Sequence, residues 1–311
     1  MKTEKESMRI RTHTRLSEKL AQTVFTICAF SMIVAVIVII LYMLANGVPA
    51  IYKIGIRDIL FSTVWKPTAQ DAQFGIFYIV LTSIAGTAMA VMLGVPIALM
   101  TAVFLVEIAP ERLAAVMKSV VMLLAGIPSV VYGMLGVMIL NPLVYRWEQK
   151  LYKGSMTHQF TGGANLLSAV LVLTVMILPT VISVSESALR EVPQELKASS
   201  FALGASHMQT IFHVVIPAAK PGIATAVVLG VGRAIGEAMA INLVSGGCVN
   251  IPLPFASVRF LTTAIVSEMG YASGLHRQAL FTIGLVLFAF IMLVNLALNH
   301  ILWGGNQSND R

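Results

Sequence analysis

Charge is the scarcest ingredient of this 311-residue chain. Asp, Glu, Lys and Arg together make up 11%, where a soluble domain carries about 25%. Hydrophobic types reach 57% and mean hydropathy is +0.85. A water-solvated core cannot hide that much apolar surface, so a solvated globular enzyme is excluded, and so is disorder. Cysteine is nearly absent. Cys28 and Cys248 each fall in or beside an apolar run, which argues against a disulfide framework. No G-x-x-x-x-G-K-[ST] loop exists to hold ATP, and no H-E-x-x-H or Cys/His cluster has metal spacing. The six histidines, His13, His158, His207, His213, His276 and His300, are scattered. The expectation is a chain that is not an enzyme and binds no cofactor or metal.

What the chain has instead is long stretches free of charge. A membrane helix needs about 20 mainly apolar residues. Six spans meet that need, at roughly 21–45, 76–104, 120–143, 165–185, 219–245 and 279–303. The predicted fold class is therefore all-α, a polytopic membrane protein with six transmembrane helices. The stretch 198–219 is set aside, because Ser199, Ser200, Ser206, His207, Gln209 and His213 suit a polar surface better than lipid. The first span is too long for the core of a cleaved signal and reads as a signal anchor.

Lys and Arg number 21 against 14 Asp and Glu, a net charge of +7. In a bilayer protein this excess reads as a topology signal and as contact with anionic membrane lipid, not with nucleic acid. Six of the basic residues lie in the first 19 positions: Lys2, Lys5, Arg9, Arg11, Arg15 and Lys19. Residues 1–19 are thus expected to be a cytoplasmic basic N-terminus, and six crossings return the tail 304–311 to the same side. Residues 20–73 then hold the first helix and an outside loop. The inside segment 186–218 has its own helical pattern: Pro193 opens it, Glu195 sits in its first turn and Gly204 stops a short helix. The outside loops 46–75, 146–164 and 246–278 either meet an external partner or merely connect.

Arg233 and Glu237 are the sharpest feature, lying near the middle of the fifth span. An ionised Arg at such a position costs ~2.5–3.5 kcal/mol on insertion scales. The i, i+4 spacing places both on one helix face. One reading is a structural ion pair that locks helices together. The other is a polar pathway for a charged solute, in which the Arg fork matches an oxyanion and Glu accepts from an anion still carrying an O–H. Gly232 and Gly236 form a G-x-x-x-G pair suited to close helix packing. Ala125-Gly126-Ile127-Pro128-Ser129-Val130-Val131-Tyr132-Gly133 interrupts the third span, either as a plain kink or as a broken helix lining a cavity with Pro128, Ser129 and Tyr132.

These stretches resemble the membrane permease subunits of ATP-binding-cassette importers served by a binding protein. That class carries a cytoplasmic loop E-A-A-x3-G-x9-I-x-L-P. Here Gly204 matches its glycine and Pro217 its proline, Val214 and Ile216 are the aligned hydrophobics, and Ala198-Ser199-Ser200 stands at the triplet. The triplet thus lacks the usual acidic residue, with Glu195 three positions earlier. Within the class, LLAGIPSVVYG at 123–133, MILPTVISVSESALREVP at 176–193, ALGAS at 202–206 and GRAIGEAMA at 232–240 resemble the C-type permease of phosphate importers.

The resemblance covers about 74–303 and implies a type I ABC importer permease fold. It also implies an A-type permease as heterodimer partner, a cytoplasmic ATPase dimer that carries ATP and Mg, and a periplasmic or lipid-anchored phosphate-binding protein. Inorganic phosphate would be the substrate and the bacterial inner membrane the location. The resemblance gives Arg233 and Glu237 a part in phosphate passage. The ATPase-coupling segment would hold Glu195, Ala198, Ser199, Ser200, Gly204, Ala205 and Pro217, and would transmit ATPase closure to spans four and five. Alternatives are a permease of the same class for sulfate or molybdate, or a non-ABC anion channel or carrier.

Overall fold

Helix α1 (Lys2–Ile54) opens the chain and is apolar enough to span a bilayer from Ala21 onward. The computed structural model describes residues 2–155 and 157–303; the expected tail 304–311 lies outside them. After α1 come a short helix α2 (Ile56–Phe61) and an antiparallel pair, β1 (Trp65–Lys66) with β2 (Gln73–Phe74). Helix α3 (Phe77–Val103) is prolonged by a π turn, Phe104–Ile108. Helices α4 (Glu111–Gly126), α5 (Ser129–Leu135) and α6 (Asn141–Leu151) follow, the last two joined by a π turn at Gly136–Leu140. Then come α7 (Leu166–Arg190), α8 (Gln194–Ala202), α9 (His207–Thr210), a third π turn at Ile211–Val215, α10 (Ile216–Ala218) and α11 (Lys220–Gly236). Helices α12 (Met239–Val244), α13 (Leu261–Glu268) and α14 (Gly274–Trp303) complete the order.

Helix α7 is the centre of the bundle, packed by α3 on one side and α11 on another. Small residues recurring every fourth position make this possible, because they bring two backbones close and stack on one helix face. On α3 the stripe is Gly86, Ala90, Gly94, Ala98 and Ala102, all buried. A Cβ at Gly94 would lie 2.6 Å from Ile177 Cδ1. On α11 the stripe is Gly222, Ala226, Gly230 and Ala234. A Cβ at Gly222 would strike Ala188, and one at Gly230 would lie 2.6 Å from Val181 Cγ2. Asn165 starts α7 by accepting the Ser168 N–H on its side chain at 3.1 Å, a cap worth about 1 kcal/mol. Helices α1 and α14 form an outer pair, where Thr282 Oγ1 donates to the Gly47 carbonyl at 2.8 Å.

Several sequence expectations shift. The helices that meet the length and hydropathy of a span are Ala21–Ile54, Phe77–Ile108, Ser129–Leu151, Leu166–Arg190 and Gly274–Leu298. His207–Ala218 and Lys220–Gly236 add a sixth span if counted together across a 69° bend. The third span thus starts at Ser129, not near 120, because Pro128 cannot continue α4. Its C-terminal end runs on through α6 into the stretch expected as loop. The fifth span is broken twice, at Ala219 and at Glu237–Ala238. The polar stretch set aside as surface supplies its first limb. Gly232 and Gly236 are not a packing pair within this chain: a Cβ on either meets nothing within 4 Å. At about 100° per residue they lie roughly 160° around α11 from Ala234, on the face turned away from α7.

Candidate functional site

Two helix breaks meet inside the bundle. Helix α4 stops at Gly126, Pro128 lies exposed in the break, and the half-buried Ser129 opens α5. Stopping α4 orphans its last carbonyls, and the buried Tyr132 hydroxyl donates to one of them, Leu124 O, at 2.7 Å. Helix α5 packs on α12, with Gly133 so close that a Cβ would lie 2.9 Å from Ala240 Cα. Tyr132 and Ala240 share one buried cluster with Ala234 of α11, so the α4–α5 break and the α11–α12 break are neighbours.

Arg233 projects from α11 one residue before Ala234. Its Nη1 donates to Thr180 Oγ1 of α7 at 3.4 Å. Thr180 lies near the middle of α7, so the guanidinium sits at the middle of the bundle, half-buried. Glu237 is not on the same helix face as Arg233. Helix α11 ends at Gly236, and Glu237 has extended backbone angles of φ −72° and ψ 130°. Gly236 in the last turn and Gly232 just before it weaken that helix by up to about 1 kcal/mol each relative to alanine. The restart of α12 offers a better use for the carboxylate: Glu237 Oε1 accepts the Ala240 N–H at 2.9 Å. The Glu237 carbonyl accepts from Thr262 Oγ1 at 2.7 Å. Among the described residues no ion pair joins Arg233 to Glu237. The reading of a locking ion pair is therefore corrected. Arg233 reaches Thr180, and Glu237 holds the break.

The segment expected to meet an ATPase lies at the end of the bundle where α3 and α7 finish. Pro193 caps α8, Glu195 is in its first turn, and no residue of α8 is buried. Glu195, Ala198 and Ser199 are exposed; Ser200 is half-buried, its hydroxyl 2.9 Å from that of Thr210. Gly204 takes φ +84°, a left-handed backbone that glycine adopts freely, and ends the helix as expected. Ala205 is half-buried, and Ser206 restarts the chain with a capping box to Gln209. Pro217 is exposed in α10, next to the 69° bend. Leu196, Phe201, Leu203 and Met208 are also exposed here, so the surface is apolar and polar together.

Three buried carboxylates escaped sequence reasoning. Glu186 of α7 accepts from Lys118 Nζ at 3.0 Å and from Arg190 Nε at 2.8 Å, joining α4 to α7. At the opposite end Glu148 is 0% exposed and is held by His158 and by the backbone and hydroxyl of Thr161. Glu268 is held by Arg259, His276 and Trp65 Nε1. Two of the scattered histidines thus anchor loops. Tyr152, residues 157–161 and parts of 248–257 border a cleft of about 450 Å³ at this end, lined by Tyr152, His158, Phe160, Asn250, Phe255 and Ser257 among others. Only the i, i+4 pair Glu186–Arg190 left a trace in the sequence.

Long apolar helices, two helix breaks that share one buried cluster beside an arginine-bearing helix, and an exposed helical segment at one end define a polytopic membrane transport component. The chain belongs to the family of binding-protein-dependent transport system inner membrane components, which matches residues 94–302. It is therefore a transport subunit and not a catalyst. It is 37% identical over 293 residues to the Bacillus subtilis protein named "Probable ABC transporter permease protein YqgH", covering 91% of this chain and 92% of that one. It is 33% identical to the phosphate transport system permease protein PstC of Haemophilus influenzae, covering 76% of this chain and 77% of that one.

Among solved structures it resembles a bacterial ABC transporter involved in the import of the acidic polysaccharide alginate. The TM-score is 0.62 at 15% identity, over 96% of this chain and 100% of that chain. It also resembles the inward-facing MetNI methionine ABC transporter, with a TM-score of 0.54 at 22% identity, over 73% and 94%. These likenesses carry the fold, that of type I ABC importer permeases.

Proposed function

We propose that this chain is the C-type permease of an ATP-driven importer that moves inorganic phosphate across the bacterial inner membrane. The observation that carries the reading is Arg233, a half-buried cation that reaches the Thr180 hydroxyl near the middle of α7, on the helix that breaks at Glu237. Its fork of donors fits a tetrahedral oxyanion. The Glu237 carboxylate uses one acceptor site on Ala240 N and keeps others. An anion that still carries an O–H satisfies such an acceptor, and phosphate does so near neutral pH while sulfate does not. Relatives named as phosphate permeases support the same choice.

The remaining parts follow from the faces left open. The side of α11 with Gly232 and Gly236, and the apolar side of α4 with Leu113, Val116, Val120 and Leu123, suit an A-type sister permease. The α8–α10 segment seats on a cytoplasmic ATPase dimer, where ATP and Mg reside. Glu195, Ala198, Ser199, Ser200, Gly204, Ala205 and Pro217 lie at or beside that contact. The far-end loops receive a periplasmic or lipid-anchored phosphate-binding protein. The basic N-terminal cluster and six crossings keep both termini cytoplasmic. ATPase closure moves the coupling segment, the bundle opens outward, and phosphate passes Arg233.

Competition tests the substrate. With the complete complex in vesicles, excess unlabelled phosphate abolishes uptake of labelled phosphate, and the same excess of sulfate leaves it nearly unchanged. Equal competition by sulfate overturns the phosphate assignment while leaving the importer class standing.

A further inference from the structure

Helix α8 is tied to the rest of the chain by the Ser200–Thr210 hydroxyl pair and, at its start, by two further links. Its first turn follows α7 through Val192 and Pro193, so chain continuity ties it there. Its second turn carries Lys197, whose Nζ donates to Glu107 Oε1 at 2.6 Å. Glu107 belongs to the π turn that ends α3, 90 residues earlier in the sequence. The pair is well shielded, with side-chain exposures of 13% for Lys197 and 7% for Glu107. The next limb reaches the same residue: His207 Nε2 donates to the Glu107 carbonyl at 3.0 Å. Both arms of the turn around Gly204 thus converge on one residue of α3. Behind it, Ala102 and Val103 of α3 pack with Leu189 and Val192 at the end of α7, and with Ile211 and Val215.

We infer that Lys197 and Glu107 are positioning residues for energy coupling, a bolt that carries movement of α8 into α3. This inference rests on the importer reading above. A hydrophobic contact lets one surface slide over another, whereas a shielded, charge-assisted hydrogen bond fixes direction and distance. Separating the partners leaves a poorly solvated charge behind, so displacement of α8 draws the end of α3 with it. From α3 the push reaches α7 through the every-fourth stripe of small residues, and α7 holds Thr180 against Arg233. The lysine stands immediately before Ala198-Ser199-Ser200, so the segment's basic anchor lies inside the bundle-facing side of the motif.

The test uses the complete complex, purified with its ATPase and placed in vesicles with internal ATP and external loaded binding protein. Variants are Lys197→Met, Glu107→Gln, Lys197→Arg and the swap Glu107→Lys with Lys197→Glu. In the first two the ATPase still co-purifies, because α8 keeps its exposed face. Phosphate moved per ATP hydrolysed falls about tenfold, within the range of ordinary coupling energies. Lys197→Arg keeps most transport, and the swap restores more than either of its single reversals. Unchanged transport per ATP in Lys197→Met and Glu107→Gln overturns the inference. If those two fail to accumulate, the swap decides: recovery of transport supports the bolt, and an accumulated but uncoupled swap overturns it. Absence of the ATPase from preparations of the unsubstituted chain overturns the importer reading, and the bolt with it.

Discussion

Replacing Arg233 with Gln lowers phosphate uptake by roughly 100-fold at unchanged abundance in the membrane. The size follows from what is removed. A hydrogen bond to a charged partner contributes ~1.5–3 kcal/mol, and a guanidinium offers an oxyanion two at once. Losing two such bonds costs about 3 kcal/mol or more, and each 1.4 kcal/mol is tenfold. Stability changes little, because in the resting protein Arg233 makes one long hydrogen bond, to Thr180 at 3.4 Å. Lys at 233 restores charge without the fork and gives intermediate uptake. Glu237→Gln is the informative companion. The amide oxygen still accepts the Ala240 N–H, so the break between α11 and α12 survives, while the negative charge is gone. Uptake that falls in Glu237→Gln assigns the charge a part in the pathway. Undiminished uptake in both variants, measured as initial rates at matched expression, removes Arg233 and Glu237 from it.

Gly94→Leu sharply reduces the amount of folded protein. A Cβ at that position already falls 2.6 Å from Ile177 Cδ1 and 2.9 Å from its Cγ1, and three further carbons have no space at all. Overpacking of a tight core costs typically 1–3 kcal/mol and more where the backbone cannot yield. Here it cannot yield cheaply, because α3 and α11 both press on α7 and moving α3 away also parts Thr174 from the Ala90 carbonyl. Against a total stability of about 5–15 kcal/mol such a loss is large. Gly232→Ala is the control. Nothing lies within 4 Å of its added methyl, and alanine is the better helix former by ~1 kcal/mol. Thermal unfolding in detergent separates the two: Gly94→Leu melts well below the parent and Gly232→Ala at or near it. Equal melting temperatures contradict the packing described for α3 and α7.

Scarcity of charge made the fold class legible, because long uncharged runs have few interpretations and a lone arginine inside one stands out. The short helix of segment 186–218 was legible too: Pro193, Glu195 and Gly204 are local signals for a helix start and stop, and the structure places α8 between Pro193 and Gly204. Register was harder. A run of apolar residues marks a span without marking its ends, so the third span began nine residues too early and the fifth was drawn straight through Glu237. The break at 237 depends on partners remote in sequence, Thr262 above all, which no window around Arg233 contains. Glycine spacing misled for a related reason. Gly232 and Gly236 form the familiar motif, yet the surfaces that touch are the longer stripes 86–102 and 222–234; the second stands out in the sequence as a run of small residues, Gly222, Ala226, Gly230 and Ala234, while the alanines of the first look ordinary one at a time. The pairs Glu107–Lys197, Glu148–His158 and Glu268–Arg259 are 90, 10 and 9 residues apart, beyond one helical turn, so spacing alone did not couple them.

Uptake of labelled phosphate into vesicles holding this chain with its sister permease and ATPase tests the central claim most directly. Phosphate is expected to accumulate only when ATP is inside and loaded binding protein outside, and the accumulation is lost when Arg233 is replaced with Gln. Phosphate entry that proceeds without ATP, or with this chain alone, would contradict it and mark the protein as a channel or an independent carrier.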